Sequence, residues 1–184
     1  MGKKILVLNG SPRLKGNTAM LCDAFAAGAE SAGHQVRRID LQRLDIHGCL
    51  GCMKGGKNPE SPCVQKDGME QVYPEYRKAD IVVLASPLYY WSVSGQLKCA
   101  FDRLFAVAEC DPNYANPIKD CALIMAAEGD TPENWKPAID YYEALTGFLK
   151  WHDLGRVLAG GVLDAGAVAG KPAVEEARKF GASL

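Results

Sequence analysis

The sequence predicts an α/β fold of one domain, residues 1–184, with a five-stranded parallel sheet in the order 2-1-3-4-5 between helical layers. Three observations predict it. Short aliphatic runs alternate with helical patterns five times along the chain, and such alternation needs the crossover connections of parallel strands. The clearest runs lack polar alternation, as strands covered on both faces do. The two loops of most unusual composition follow the first and third runs, where that strand order reverses and where ligands bind.

The first strand is Lys3 to Leu8, closed by Gly10-Ser11-Pro12. A helix from Asn17 to Ala32 follows, with Leu21, Ala24, Phe25, Gly28 and Ala32 at helical spacing and Gly33 as its stop. Gln35 to Leu41, with β-branched Val36 and Ile39, gives the second strand, and residues 46–67 form a long irregular loop rich in Gly, Cys, Lys and Pro. Met69 to Ala79 reads as a helix with Pro74 near its start. Asp80 to Ala85 is a third strand, buried on both faces.

Gly95 to Ala108 is one amphipathic helix, carrying Leu97, Ala100, Phe101, Leu104 and Ala108 on a single face. Ala122 to Ala127 is the fourth strand, and Glu133 to Leu149 the next helix, with Pro137 in its first turn. Val157 to Leu163 supplies the fifth strand, and Pro172 to Ala182 a closing helix begun by proline.

Composition excludes several classes of function. Lys plus Arg (21) nearly balance Asp plus Glu (22), so no strong field points to nucleic acid or anionic lipid. No apolar run approaches the roughly 20 residues of a membrane span. Residues 1–8 are too short an apolar stretch for a signal peptide, and a cytoplasmic location is expected. There is no G-x-S-x-G elbow of a serine hydrolase. His34 is expected at the surface, and His152 beside Asp153 in local packing. Of the seven cysteines, Cys22, Cys99, Cys110 and Cys121 lie singly in apolar segments and read as small buried hydrophobes.

The loop after the first strand, Gly10 to Thr18, runs straight into a helix. A helix start presents unpaired N–H groups and a partial positive charge. Ser11, Asn17 and Thr18 add polar side chains, Arg13 adds a cation, and Gly16 permits close approach. Together they suit a phosphate monoester. The dinucleotide pattern G-x-G-x-x-G is absent, as is the lysine that closes a nucleoside-triphosphate loop. The loop after the third strand, Ser86 to Gly95, holds three adjacent aromatics, Tyr89, Tyr90 and Trp91. Surface aromatics so clustered suit a flat ring; Pro87 stiffens the loop, and Ser92 with Ser94 prepares the next helix start.

These two loops, with Gln96-Leu97-Lys98 and Asp102-Arg103, resemble the flavodoxin-like NAD(P)H-dependent FMN reductase family, which includes the iron–sulfur flavoproteins. The resemblance covers roughly residues 3–130. It implies a flavodoxin-like three-layer sandwich and an FMN site, with Ser11, Arg13, Asn17 and Thr18 on the phosphate. Pro87, Leu88, Tyr89, Tyr90 and Trp91 would contact the flavin, and the loop at Glu128 and Gly129 would close its far side. NADH or NADPH is the implied hydride donor, and a quinone, flavin or other small molecule the acceptor. No side chain is assigned as acid or base, because the cofactor carries the reaction. A homodimer completing the pocket is expected from the exposed aromatics.

His47-Gly48-Cys49-Leu50-Gly51-Cys52, followed by Cys63, is similar to the compact cysteine motif of the iron–sulfur flavoproteins. That motif's third Cys falls here on Gly55. Three thiolates remain where a cubane cluster takes four, so the expected reading is a lid loop without a cluster. Cys49, Cys52 and Cys63, with His47, also match zinc ligands in residue type. Two other functions stay open: a non-enzymatic FMN electron carrier, and a redox or metal sensor working through these cysteines. Carriers of that kind are often strongly acidic, whereas the formal charge here is −1.

Overall fold

The computed structural model describes residues 2–184. Its five strands are β1 (Lys4–Asn9), β2 (Gln35–Asp40), β3 (Ile81–Pro87), β4 (Asp120–Ala126) and β5 (His152–Ala159). The helices are α1 (Asn17–Ser31), α2 (Val72–Lys78), α3 (Gly95–Arg103), α4 (Phe105–Ala108), α5 (Pro132–Leu149) and α6 (Pro172–Ala182). The strands form one sheet in the order β2-β1-β3-β4-β5, and every neighbouring pair is parallel. The expected topology is the observed one.

Side chains alternate across this sheet, so each strand feeds two cores. Leu6, Leu8, Val82, Leu84, Leu123 and Met125 face Tyr73, Tyr76, Leu97, Trp135 and Tyr142 of α2, α3 and α5. Ile5, Val7, Ile81, Val83, Ala122 and Ile124 face Leu21, Phe25, Ala173 and Ala177 of α1 and α6. That double burial explains why the three central strands read as unbroken aliphatic runs.

Several local expectations need correction. The fifth strand begins at His152 and ends at Ala159, earlier than the apolar run at 157–163. It is an edge strand paired only with β4, so a polar, half-exposed sequence suffices there. The helix expected over 95–108 divides at Leu104 into α3 and α4. Pro137 lies inside α5 rather than in its first turn; Pro132 occupies that turn, and Thr131 caps it by accepting the Asn134 N–H. His34 is half-buried, its Nδ1 accepting the Lys3 N–H at 3.0 Å. Cys22 and Cys121 are buried, whereas Cys99 and Cys110 are only half-buried. Burial pushes the Cys22 thiol up to about 12 and the Cys121 thiol up to about 11. His152 is exposed, facing Asp120 at 3.3 Å, and Asp153 accepts the Tyr142 hydroxyl at 2.8 Å. That cluster lies at the amino end of β5, away from the carboxyl ends of the strands.

Helices α1 and α6 pack with almost no separation. A Cβ on Gly28 would lie 1.9 Å from the Arg178 carbonyl oxygen, and one on Gly181 would lie 2.1 Å from that of Phe25. This contact fixes α1, and with it the α1 amino terminus, against the back of the sheet. Gly28→Ala is expected to cost about 1–3 kcal/mol through overpacking, outweighing the roughly 1 kcal/mol gained in helix propensity. Denaturant unfolding checks this; an unchanged or raised midpoint contradicts it.

Candidate functional site

The sheet order reverses between β1 and β3, and both unusual loops leave the sheet there. Gly10 N–H continues the ladder to Ala85 O at 2.8 Å. Ser94 then joins the two loops: its hydroxyl donates to Gly10 O at 2.7 Å, accepts the Leu97 N–H at 3.3 Å, and its own N–H reaches Ser86 Oγ at 2.8 Å. Gly10 must be glycine for this approach, because a Cβ would fall 2.6 Å from the Ser94 hydroxyl.

The first turn is tightly wound on itself. Ser11 N–H donates to Asn9 Oδ1, Arg13 N–H to Ser11 Oγ, and Gly16 N–H to Arg13 O. The first bond of α1 runs from Met20 N–H to Gly16 O at 3.1 Å, and no side chain caps the helix. The N–H groups of Asn17, Thr18 and Ala19 therefore precede the helical ladder. In a buried turn, open donors of this kind call for an acceptor from outside.

Asn17 and Arg13 have a second task. The Asn17 amide donates to Val162 O and Asp164 O and accepts the Val168 N–H. Arg13 donates to Leu163 O at 2.9 Å. The segment after β5 is thus drawn onto the outer side of the turn. Asn17 can serve an anion through its backbone N–H; its side chain is committed. Thr18 is 2% exposed and Ser11 4%.

The second loop is a two-residue turn. Tyr89 and Ser92 exchange both N–H···O bonds at 3.0 Å, with φ of 47° at Tyr90 and 59° at Trp91. Bulky side chains at positive φ cost of order 1 kcal/mol each. What they gain is outward projection: Tyr90 is 95% exposed, Trp91 55% and Tyr89 44%. Tyr90 and Trp91, with Leu88, Ala127, Glu128, Gly129 and Asn134, line a cleft of about 220 Å³. Leu88, Tyr90, Trp91 and Gly129 are thus brought together, while Pro87 ends β3 and Tyr89 flanks the cleft without lining it. Asn134 was not expected; its Nδ2 donates to Gly129 O at 3.2 Å and fixes that turn. Its signal was the Thr131-Pro132 helix start three residues earlier.

The cysteine loop is held elsewhere, along α3 and α4. Arg103, 1% exposed, makes a bidentate pair with Asp67 at 2.7 and 3.2 Å and also donates to His47 O and Gln65 O. The buried cation is the last residue of α3, and the helix breaks at the next residue. Burial alone would raise the Asp67 carboxyl, but the Arg103 bond and the N–H groups of Met69 and His47 hold it below the usual range. Cys49, Cys52 and Cys63 border a space of about 30 Å³, room for one water. Among the described residues, no group of three or more His, Cys, Asp or Glu is placed to hold a metal ion. The loop as folded does not fit a cubane cluster.

A sheet of this order, with an open helix start and an aromatic cleft at its switch point, defines the flavodoxin-like mononucleotide-binding class. Residues 3–131 match the family described as NADPH-dependent FMN reductase, and the chain belongs to that family. It is 36% identical over 125 residues to an iron–sulfur flavoprotein of Methanocaldococcus jannaschii, covering 68% of this chain and 62% of that one. The match to another, from Archaeoglobus fulgidus, is 35% over 101 residues, covering 55% and 45%. The chain thus spans about half to two-thirds of the length of these curated relatives. The fold is similar to an NAD(P)H:quinone oxidoreductase from Methanothermobacter marburgensis, with a TM-score of 0.75 at 18% identity, covering 100% of this chain and 96% of that one.

Removing the Arg103 charge strands Asp67 in the interior, a loss of about 3–5 kcal/mol for a buried pair. Arg103→Met is expected to expose residues 46–67 to trypsin, read as faster cleavage at Lys54 and Lys57; an unchanged digestion pattern contradicts the latch. In the unaltered protein the Asp67 contribution is complete above about pH 4, the unfolded carboxylate range. Because the folded pKa is the lower one, the contribution falls away as pH drops through it. Protection of the loop amides, taken relative to the intrinsic exchange rate at each pH, should fall on that acid limb and be level above it.

Proposed function

We propose that the chain is an FMN-dependent oxidoreductase that takes a hydride from NADH or NADPH and passes electrons to a small acceptor such as a quinone or another flavin. One observation carries the reading: the open donors of α1 and the aromatic-walled cleft emerge from adjacent strands, tied together by Ser94. A phosphate at one point and a planar ring nearby are the two halves of a flavin mononucleotide. Family membership supports the cofactor and the donor. The acceptor class draws support from a structural neighbour named as an NAD(P)H:quinone oxidoreductase.

In this reading Ser11, Arg13 and Thr18 hold the phosphate, with the N–H groups of Asn17, Thr18 and Ala19 supplying the charge-free part of the cradle. Leu88, Tyr90 and Trp91 lie against the ring, Pro87 and Tyr89 stiffen and flank that wall, and Gly129 closes the opposite side. FMN, when bound, supplies the ring that accepts and releases the hydride. The chain fixes the phosphate, orients the ring and keeps one face open for donor and acceptor in turn. No residue need move a proton. The outward aromatics support a homodimer in which a second copy covers Tyr90 and Trp91. Among the described residues no helix is long and apolar enough to cross a membrane.

Anaerobic mixing of FMN-loaded protein with NADH or NADPH is expected to bleach the visible flavin bands, and a quinone to restore them. Flavin that stays oxidised with both donors contradicts the enzyme reading and favours a carrier. Arg13→Ala and Thr18→Ala should each weaken FMN retention about tenfold, the scale of one charge-assisted hydrogen bond; equilibrium dialysis measures it. Sedimentation at micromolar concentration should show a dimer that Trp91→Glu weakens; a monomer at all concentrations rules the dimer out.

A further inference from the structure

Asp40 closes β2, an edge strand, and belongs to neither ligand loop. It is nonetheless connected to the phosphate turn by an unbroken chain of contacts. One of its carboxylate oxygens, Oδ1, accepts from Asn9 Nδ2 at 2.8 Å. Asn9, at the end of β1 and 0% exposed, accepts the Ser11 N–H on its own Oδ1 at 3.1 Å. A buried amide can be flipped, and only its partners decide which end points where. A carboxylate can only accept, so Asp40 compels Asn9 to present its NH₂ sideways and its oxygen to the turn. Were the amide reversed, Ser11 N–H would meet a donor and the turn could not wind as it does.

The carboxylate is itself fixed. Arg38 Nε donates to Asp40 Oδ1 at 2.7 Å, and Arg43 lies 3.6 Å from Oδ2. Arg38 is held from the other side by Asp23 of α1 and by Ala19 O. The same Arg38 therefore touches the first turn of α1, whose N–H groups stand open.

We propose that Asp40 is a positioning residue for phosphate recognition, acting through the orientation of the Asn9 amide on the Ser11 turn. The proposal rests on the FMN reading above. It assigns part of the cofactor affinity to a side chain that reaches the phosphate turn only through Asn9. Asp40→Asn can still offer an oxygen to Asn9 Nδ2 and should preserve function. Asp40→Leu cannot, and frees the amide to turn.

The test compares FMN with riboflavin, which lacks the phosphate, by flavin fluorescence quenching in folded protein. Asp40→Leu should weaken FMN binding about tenfold, the scale of a lost charge-assisted bond, with riboflavin affinity unchanged. Asn9→Leu should do the same, the double variant no worse than Asn9→Leu alone, and Asp40→Asn should restore most of the FMN affinity. The Ser11 amide resonance should move in Asp40→Leu and stay in Asp40→Asn. Equal loss for FMN and riboflavin, no loss, or additive losses overturn the proposal. If Asp40→Leu does not fold, the Asn9→Leu contrast and the Ser11 resonance of Asp40→Asn decide it alone. Unaltered protein that binds riboflavin as tightly as FMN instead sinks the phosphate reading, which separates the two failures.

Discussion

The site depends on Ser94. Its hydroxyl and N–H tie the end of β1 to the loop after β3, so the two halves of the site are set at one separation by a buried, fully paired group. Gly10 is the complementary constraint, since any side chain there would displace the hydroxyl. Buried polar groups satisfied in this way act as rigid spacers, because any other arrangement leaves a donor or acceptor without a partner. The parallel sheet brings the loops near one another, and this clamp fixes their distance.

Around that clamp the chain divides its labour. α1 contributes an uncapped start, held in place from behind by the close packing of Gly28 on Arg178 and of Gly181 on Phe25. The segment after β5 covers the turn's outer side through Asn17 and Arg13. The Tyr90–Trp91 turn spends backbone strain to project two rings, and Gly129 with Asn134 faces them. The cysteine loop stands apart, locked to α3 by Arg103 and Asp67. As folded, it closes around a space the size of one water.

Much of this was legible because burial writes itself into composition. β1, β3 and β4 are covered on both faces, so Ile5 to Leu8, Ile81 to Ala85 and Ala122 to Ala126 can only be aliphatic. β5 was misplaced because an edge strand needs one apolar face, and His152, Asp153 and Arg156 hide it. The break at Leu104 was invisible because nothing local marks Arg103 as buried; its partner Asp67 lies 36 positions away. The turn after β1 and the aromatic loop after β3 stood out in the sequence, since each packs its unusual residues into a few consecutive positions. The duties of Asn17 and Asn9 could not be read, because their partners, Val168 and Asp40, come from distant segments. Nor could the positive φ of Tyr90 and Trp91, which no glycine announces.

The account stands on the claim that the amino terminus of α1 grips a phosphate. Amide resonances of uniformly labelled protein titrated with FMN test it most directly. The N–H signals of Asn17, Thr18 and Ala19 should move strongly with FMN and scarcely with riboflavin, while the indole N–H of Trp91 responds to both. If those three amides stay still while the cleft residues shift, the ring binds without the phosphate anchor and the account is wrong.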